Sequence, residues 1–176
     1  MWSGPRNIST AIMYSFAQRS DTQVVDEPFY AHYLLHSGAK HPGRAKVLES
    51  QPKDPSVVMQ NLMATGTNTE VLFVKNMAHH MINMDGILEQ LFDEFIPIFL
   101  IRDPKDMLLS LDKSLSEPSL LDTGYQQLLD LFETAENNKL PLIVLDSKEL
   151  LDDPEFVLSA LCEQISIPFE KSMLSW

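Results

Sequence analysis

The chain has 176 residues, of which 44% are hydrophobic and 22% charged, enough apolar sequence to build the core of one domain. Acidic residues outnumber Lys and Arg by 25 to 13, so the formal net charge is −12. This charge argues against a general surface for nucleic acid or for anionic membranes. An anionic ligand would have to be held by local cations, and Arg6, Lys75, Arg102 and Lys105 are the ones placed to do so.

Two further features bear on the compartment. No apolar run reaches the roughly 18–20 residues of a membrane span, and no signal peptide is recognisable. The single cysteine, Cys162, can form no internal disulfide and is expected to be a small buried apolar residue. A reducing compartment such as the cytoplasm fits this composition.

The first segment combines a tight turn with a helix start, because Gly4-Pro5 and Arg6–Thr10 precede an apolar helical stretch. N–H groups in the first turn of a helix have no intrahelical partner, and the helix dipole favours an anion there. Arg6 adds a fork of donors, while Ser9 and Thr10 add hydroxyls. The segment therefore predicts either a cradle for a phosphate or sulfate or an ordinary capped turn. The G-x-x-x-x-G-K-[ST] spacing of a Walker A loop is absent.

Short apolar runs alternate with helical stretches along the chain. Runs that are nearly all apolar are typical of parallel strands covered on both faces, so the alternation predicts a doubly wound α/β sheet. The predicted strands are Met1–Trp2, Gln23–Asp26, Val71–Val74, Ile98–Ile101 and Leu142–Leu145. The predicted helices are Thr10–Arg19, Val57–Ala64, Met84–Phe95, Pro104–Lys113, Gln126–Asn137 and Pro154–Ile165. Ser37–Pro55 is predicted to be a mobile loop, and Ser114–Thr123 a second, smaller one.

A second segment follows the fourth predicted strand. Arg102 stands at the carboxyl end of that strand, and Ser110 follows eight residues later on the next helix. Open α/β sheets bind ligands at the carboxyl ends of their strands. The two segments can therefore address two ends of one anionic ligand.

Together these segments resemble those of the sulfotransferase family, which binds 3′-phosphoadenosine 5′-phosphosulfate. In that family a P-K/R-S-G-T-T-like loop after the first strand holds the 5′-phosphosulfate, and Pro5–Thr10 is similar to it. An R-x-P-x-D-x-x-x-S stretch holds the 3′-phosphate, and Arg102–Ser110 matches it closely. The tail Leu145–Phe169 is similar to the family's strand, D-P-E helix start, helix and L-x-x-P-F segment.

The resemblance implies a P-loop-type three-layer sandwich with a five-stranded parallel sheet in the order 2-3-1-4-5. It implies transfer of a sulfuryl group to a hydroxyl or amine of a small-molecule acceptor, with 3′-phosphoadenosine 5′-phosphate as the product. The expected domain spans residues 1–176 and is incomplete at both ends. The implied cofactor-binding residues are Arg6, Asn7, Ile8, Ser9, Thr10, Arg102 and Ser110.

The chain departs from the family pattern at three places. Ile8 stands where the family often has glycine, and its β-branched side chain is expected to resist a positive φ. The first strand is limited to Met1 and Trp2. The sequence ends at Trp176, before the Lys/Gly-rich loop with which many members complete the 3′-phosphate and adenine site.

Three residues are candidates for the chemistry. Glu27 follows the second strand, where some members of the family have a glutamate base, and Pro28 is expected to hold it extended. Cytosolic members read Lys-Thr-His after the third strand. Lys75 matches that lysine, whereas Met77 replaces the histidine. His79 lies two residues further and could supply a neutral imidazole, so Glu27 ranks first as the base and His79 second.

The sequence is also compatible with two other functions. A nucleotide or small-molecule kinase would use the same sheet but should show a Walker A loop. A catalytically idle nucleotide-binding or regulatory domain would explain Ile8 and Met77. No metal site is predicted, because His32, His36 and His41 lack Cys partners and metal-ligand spacing. The methionines from Met77 to Met84 predict core packing or an adaptable acceptor pocket.

Overall fold

The structure is a computed structural model that describes residues 1–39, 41–84, 86–113 and 119–175. The strands are β1 (Trp2–Ser3), β2 (Thr22–Asp26), β3 (Val71–Met77), β4 (Ile98–Ile101) and β5 (Ile143–Asp146). The longer helices are α1 (Ser9–Ala17), α2 (Tyr30–Ser37), α4 (Pro55–Gly66), α5 (Ile87–Glu94), α6 (Pro104–Leu111), α8 (Tyr125–Asn137) and α10 (Pro154–Gln164). The shorter ones are α3 (Arg44–Ser50), α7 (Leu120–Thr123) and α9 (Ser147–Asp152), with 3₁₀ turns at Ala78–His80 and Lys171–Leu174.

The five strands form one parallel sheet in the order β2-β3-β1-β4-β5, which confirms the predicted fold class and strand order. The short strand β1 lies at the centre, where Trp2 pairs with Asn76 of β3 and with Phe99 of β4. Because all strands are parallel, their carboxyl ends lie at one edge of the sheet. The segments that follow β1, β2, β3 and β4 therefore meet at that edge.

Apolar side chains cover both faces of the sheet, as the nearly all-apolar strands predict. One core packs α1 and α10 against the sheet around Phe16, Leu100 and Leu158. The other packs α4, α5 and α8 around Trp2, Phe92 and Phe99. A cavity of about 500 Å³ opens at the amino-terminal edge of the sheet beside Val71 and Phe95, and none of the predicted site residues lines it.

Four helices depart from the sequence-based prediction. The helix α3 lies within the stretch predicted to be a mobile loop, while α2 and α9 lie where no helix was predicted. The helix α7 lies in the second predicted loop, of which residues 114–118 are outside the described residues. A reciprocal capping box between Ser119 and Asp122 stabilises this single turn. Each of these helices has eight residues or fewer, too few for a clear hydrophobic period.

No helix in the described ranges is long and apolar enough to cross a lipid bilayer.

Candidate functional site

The loop after β1 turns sharply into α1. Arg6 and Ile8 both have positive φ, at 60° and 55°, and Ile8 is the N-cap residue of α1. No side chain caps this helix, and its first turn contains no acidic residue. The N–H groups of the first turn and the positive end of the helix dipole are therefore not neutralised by a side chain from the helix itself.

Ile8 corrects one expectation from the sequence. A β-branched residue was expected to resist positive φ, yet Ile8 adopts the left-handed conformation that a glycine would take. The side chain is partly buried and packs against the core beneath α1. We infer that this packing offsets the cost of the left-handed conformation, on the order of 1–2 kcal/mol for a residue with a Cβ.

The remaining residues of the loop differ in exposure. Asn7 is buried, and its Nδ2 donates a hydrogen bond to the carbonyl oxygen of Leu100 in β4, at 3.3 Å. Its Oδ1 has no hydrogen-bond partner among the described residues. Ser9 is buried at the start of α1, whereas Thr10 is exposed. The loop is thus anchored to β4 through Asn7 while Thr10 faces solvent.

Two hydrogen bonds join the loop after β1 to the segment after β4. Arg6 Nε donates to Ser110 Oγ at 3.0 Å. The guanidinium of Arg102 donates through Nη1 to the carbonyl oxygen of Arg6. Asp103 caps α6 by accepting from the backbone N–H of Lys105 at 2.8 Å. The two segments predicted to address one anion therefore lie in direct contact.

Both arginines bond to neutral groups. The partner of Arg6 is a hydroxyl, and the partner of Arg102 is a backbone carbonyl. Across the part of the chain that the structure describes, neither guanidinium forms a salt bridge. Among the described residues, no carboxylate forms an ion pair with either guanidinium, despite the net charge of −12.

Lys75 lies near the carboxyl end of β3 and, unlike the two arginines, forms salt bridges within the described residues. Its side chain is only 4% exposed, and Nζ donates to Asp26 Oδ1 at 2.8 Å and to Glu27 Oε1 at 2.6 Å. Burial acts to lower the pKa of Lys75, but the hydrogen bonds from the two carboxylates outweigh it and raise the pKa above its ordinary value. The positive charge of Lys75 is therefore compensated by two carboxylates.

Glu27 corrects a second expectation. Pro28 was expected to hold Glu27 in an extended conformation, but Glu27 has a φ of 47°. Its backbone N–H donates to the carbonyl oxygen of Lys75 at 2.8 Å, which continues the β2–β3 pairing by one residue and fixes the turn into α2. The side chain is thereby directed to the ammonium of Lys75. The roles assigned to Glu27 and Lys75 stay predictions.

His79 and His80 form a 3₁₀ turn directly after β3 and pack among tyrosines of α2. The ring of His80 stacks on Tyr30 and Tyr33 with centroids 4.9 and 4.7 Å apart, and His79 meets Tyr33 edge-on. Burial lowers the pKa of His79 to about 4 and that of His80 to about 2. Both imidazoles are therefore neutral near pH 7, and the Nδ1 atom of each has no partner among the described residues.

The sequence placed the start of α8 within one residue, at Gln126, but it did not predict that this helix start contacts the loop after β1 and the turn after β3. Gly124 has a φ of 66°, and a Cβ added there would lie 3.4 Å from His79 Nδ1 and 3.6 Å from Pro5 Cδ. Tyr125 donates from its hydroxyl to the carbonyl oxygen of Arg102 at 3.0 Å. Glycine after a short helix is a common C-cap signal and could have located this turn. No sequence signal pairs Tyr125 with Arg102.

The structure also shows where the methionines and His32 lie. Met77 and Met84 are buried, and Met84 belongs to the core under α5, so these methionines fill space between elements. His32 is buried with both ring nitrogens against the backbone carbonyls of Lys53 and Ile82. Within the described ranges, no three His, Cys, Asp or Glu side chains are grouped so that they could hold a metal ion.

Among curated proteins, the chain is similar to branched-chain-amino-acid aminotransferase-like proteins 1 and 2 of Arabidopsis thaliana. The identities are 35% and 33% over 175 residues, which is 99% of this chain. The chain spans about a third of the length of these relatives, 31% in each case.

Among solved structures, the fold is similar to the sulfotransferase domain from the curacin biosynthetic pathway, with a TM-score of 0.58 and 17% identity. That alignment covers 98% of this chain and 75% of the other. A shikimate kinase from Bacteroides thetaiotaomicron is also similar, with a TM-score of 0.55, 14% identity and coverage of 94% and 96%. These low identities show the fold alone. A family model described as a sulfotransferase domain matches residues 1–176, and the chain belongs to that family.

Proposed function

We propose that this domain moves a sulfuryl group from 3′-phosphoadenosine 5′-phosphosulfate to a hydroxyl or amine of a small-molecule acceptor. The observation that carries the proposal is the contact between the two cofactor segments. Arg6 bonds to Ser110, and Arg102 bonds to the backbone of Arg6, so both arginines lie at one edge of the sheet. Neither is neutralised by a carboxylate of the described residues.

The residues present fit such a cofactor. The uncapped start of α1 offers backbone N–H donors to the 5′ end, together with Arg6 and the exposed Thr10. Arg102 and Ser110 lie beside them and would hold the 3′-phosphate. When bound, the cofactor supplies an activated sulfuryl group and a phosphate leaving group. The start of α1 and Arg6, at the 5′ end, would stabilise the charge that develops on the leaving phosphate oxygen.

Deprotonation of the acceptor falls to the segments after β2 and β3. Glu27 is the first candidate, because its carboxylate can accept a proton while Lys75 holds it at 2.6 Å. His79 is the second candidate, because burial keeps its imidazole neutral near pH 7, although the same low pKa makes it a weaker base than an ordinary histidine. Lys75 would stay charged and could shift its hydrogen bonds from the carboxylates towards the transferred group.

The proposal is tested by calorimetry with 3′-phosphoadenosine 5′-phosphate. Replacing Arg102 with alanine should cost about 2–3 kcal/mol of binding free energy, the range for a charge-assisted contact, which is roughly 30- to 150-fold in Kd. Lys171→Ala is the matched control, because it removes one exposed charge on the 3₁₀ turn that packs against α1. A wild-type protein that binds no bisphosphate, or an Arg102→Ala variant that binds it equally well, contradicts the proposal.

A nucleotide-binding domain without transfer is the second candidate function. It is favoured by the pairing of Lys75 with two carboxylates and by Met77, which stands where cytosolic members of the family have their histidine. Tight binding of the bisphosphate together with no transfer from ³⁵S-labelled cofactor to any of a set of phenols, alcohols and amines would support it. The similarity to a shikimate kinase shows the fold alone, and the loop after β1 lacks the Walker A spacing.

The partner and the compartment are part of the same proposal. The net charge of −12 favours a small acceptor over nucleic acid or an anionic membrane surface. The single cysteine is buried, which is compatible with a reducing compartment such as the cytoplasm.

A further inference from the structure

We propose that Tyr125 is a positioning residue that holds Arg102 in place at the cofactor site. The proposal rests on the proposed function, since it concerns the arm that would bind the 3′-phosphate. It begins from the hydrogen bond between the Tyr125 hydroxyl and the carbonyl oxygen of Arg102, at 3.0 Å.

The backbone next to Tyr125 packs against the loop after β1. Tyr125 is the first residue of α8, and its N–H contacts Thr123 Oγ1 at 3.4 Å. The carbonyl oxygen of Thr123 lies so close to Gly4 that a Cβ there would be 2.9 Å away. Gly124 packs against Gly4 and Pro5 from the same side. The start of α8 is thus packed directly on the loop after β1.

Two carbonyl groups at and just after the end of β4 accept hydrogen bonds from side chains. The Leu100 carbonyl receives one from Asn7 Nδ2, and the Arg102 carbonyl receives one from Tyr125. Burial, joined by the nearby carboxylate of Asp103, raises the pKa of the Tyr125 hydroxyl, so it keeps the proton that it donates. The backbone of Arg102 is therefore fixed from the α8 side.

The same hydrogen bonds continue through the site. Arg102 donates from its guanidinium to the carbonyl of Arg6, and Arg6 donates to Ser110 on α6. A chain of hydrogen bonds runs from Tyr125 through both arginines to Ser110. Removing the first donor frees the Arg102 backbone, and the guanidinium at the other end of the residue loses its fixed direction.

The test is the Tyr125→Phe variant, which removes one oxygen and keeps the ring. Its Kd for 3′-phosphoadenosine 5′-phosphate should rise by about three- to tenfold, the range for one hydrogen bond, and its Kd for adenosine 5′-phosphate should stay unchanged. In turnover with the sulfuryl donor, KM should rise while kcat is retained. Tyr14→Phe is the matched control, because Tyr14 is 54% exposed on α1.

A second readout needs no nucleotide. The guanidinium N–H signals of Arg102, assigned by comparison with Arg102→Lys, should shift or broaden in Tyr125→Phe and stay unchanged in Tyr14→Phe. The proposal is overturned if Tyr125→Phe weakens the binding of both nucleotides equally. It is also overturned if the affinities and the Arg102 signals are unchanged in this variant. If the wild-type protein shows no preference for the bisphosphate, the proposed function fails, and the Arg102 signals alone decide whether Tyr125 positions this residue.

Discussion

The two halves of the candidate site hold their cations in opposite ways. On the side proposed to bind the cofactor, formed by the loop after β1 and the segment after β4 (the cofactor side), Arg6 and Arg102 bond to a hydroxyl and a carbonyl. On the side proposed to deprotonate the acceptor, formed by the segments after β2 and β3 (the acceptor side), the ammonium of Lys75 is buried and bonded to two carboxylates. Both arrangements occur at the same edge of one sheet, in a chain with a net charge of −12.

This difference determines which of the cations is free to attract an added anion. A guanidinium with neutral partners keeps its full attraction for an anion, and breaking its hydrogen bonds leaves no charge unpaired. An ammonium between two carboxylates has its charge compensated, and removing it would leave two acidic groups next to each other. The cofactor side is therefore suited to bind an anion, and the acceptor side to hold a carboxylate in place.

The largest effect is expected at Glu27. Glu27→Gln should lower transfer by about 10²–10⁴-fold, the usual loss for a positioned general base, while the affinity for the bisphosphate stays within a few-fold. His79→Ala should have a smaller effect. The measurement is the initial rate of ³⁵S transfer to a mixture of phenols, alcohols and amines.

Asp26→Asn is the control for this experiment, because Asp26 also bonds to Lys75 but its side chain is 51% exposed. Its transfer rate should fall much less. If Asp26→Asn and Glu27→Gln lose activity equally, the carboxylates serve only to hold Lys75, and Glu27 is not the base.

The acceptor side should also determine how stability depends on pH. The pKa values of His79 and His80 are lowered by burial to about 4 and about 2, below the value of 6.5 expected for an unfolded histidine. Between pH 6.5 and 4 the unfolded chain binds protons that the folded chain does not. The free energy of unfolding should therefore fall as the pH decreases, with a slope approaching about 1.4 kcal/mol per pH unit for each histidine.

Urea unfolding at several pH values measures this slope. His80→Phe keeps a ring between the tyrosines and should lower the slope by up to about 1.4 kcal/mol per pH unit, whereas His36→Asn, at an exposed position on α2, should change it much less. A free energy of unfolding that is flat from pH 6.5 to 4 would show that the histidines are not buried as described.

A smaller effect is expected where α7 packs on the loop after β1. A Cβ on Gly4 would lie 2.9 Å from the carbonyl oxygen of Thr123. Gly4→Ala should therefore destabilise the fold by about 1–3 kcal/mol, as overpacking does. Gly66→Ala is the control, because its Cβ would be 3.7 Å from the side chain of Leu72, an ordinary contact. Equal thermal unfolding of both variants would contradict the close contact between α7 and the loop after β1.

The strands were predictable because their apolar runs depend only on neighbouring residues. The predicted β2 and β4 agree with the observed strands to within one residue, and the predicted β1 and β5 are each shifted by one residue. The observed β3 continues three residues beyond the predicted end at Val74. The order of the sheet came from the likeness to the sulfotransferase family, since no local pattern specifies which strands are neighbours. The structure confirms that order.

The short helices were less predictable. The helix α3 buries none of its residues, so no apolar periodicity marks it. The helix α9 has six residues, and only the cap formed by Asp146 on the N–H groups of Lys148 and Glu149 stabilises its start. Such caps are visible in a sequence only when a longer helical pattern follows them.

In the candidate site, too, features that depend on one residue were predictable, and features that depend on distant residues were not. The residue types at Arg6, Arg102 and Ser110 predicted an anion site, because the chemistry of a cation or a hydroxyl can be read from one residue. The turn at Glu27 and the contact of Tyr125 with Arg102 could not be predicted. Each depends on residues distant in the sequence that only the folded sheet brings together.

The most direct test of the account compares two nucleotides on the unmodified protein. Isothermal titration calorimetry at physiological ionic strength would measure Kd for 3′-phosphoadenosine 5′-phosphate and for adenosine 5′-phosphate. If Arg102 and Ser110 hold the 3′-phosphate while the loop after β1 holds the 5′ end, the bisphosphate should bind at least about tenfold more tightly. Equal dissociation constants would contradict the central claim that the two segments bind opposite ends of one ligand.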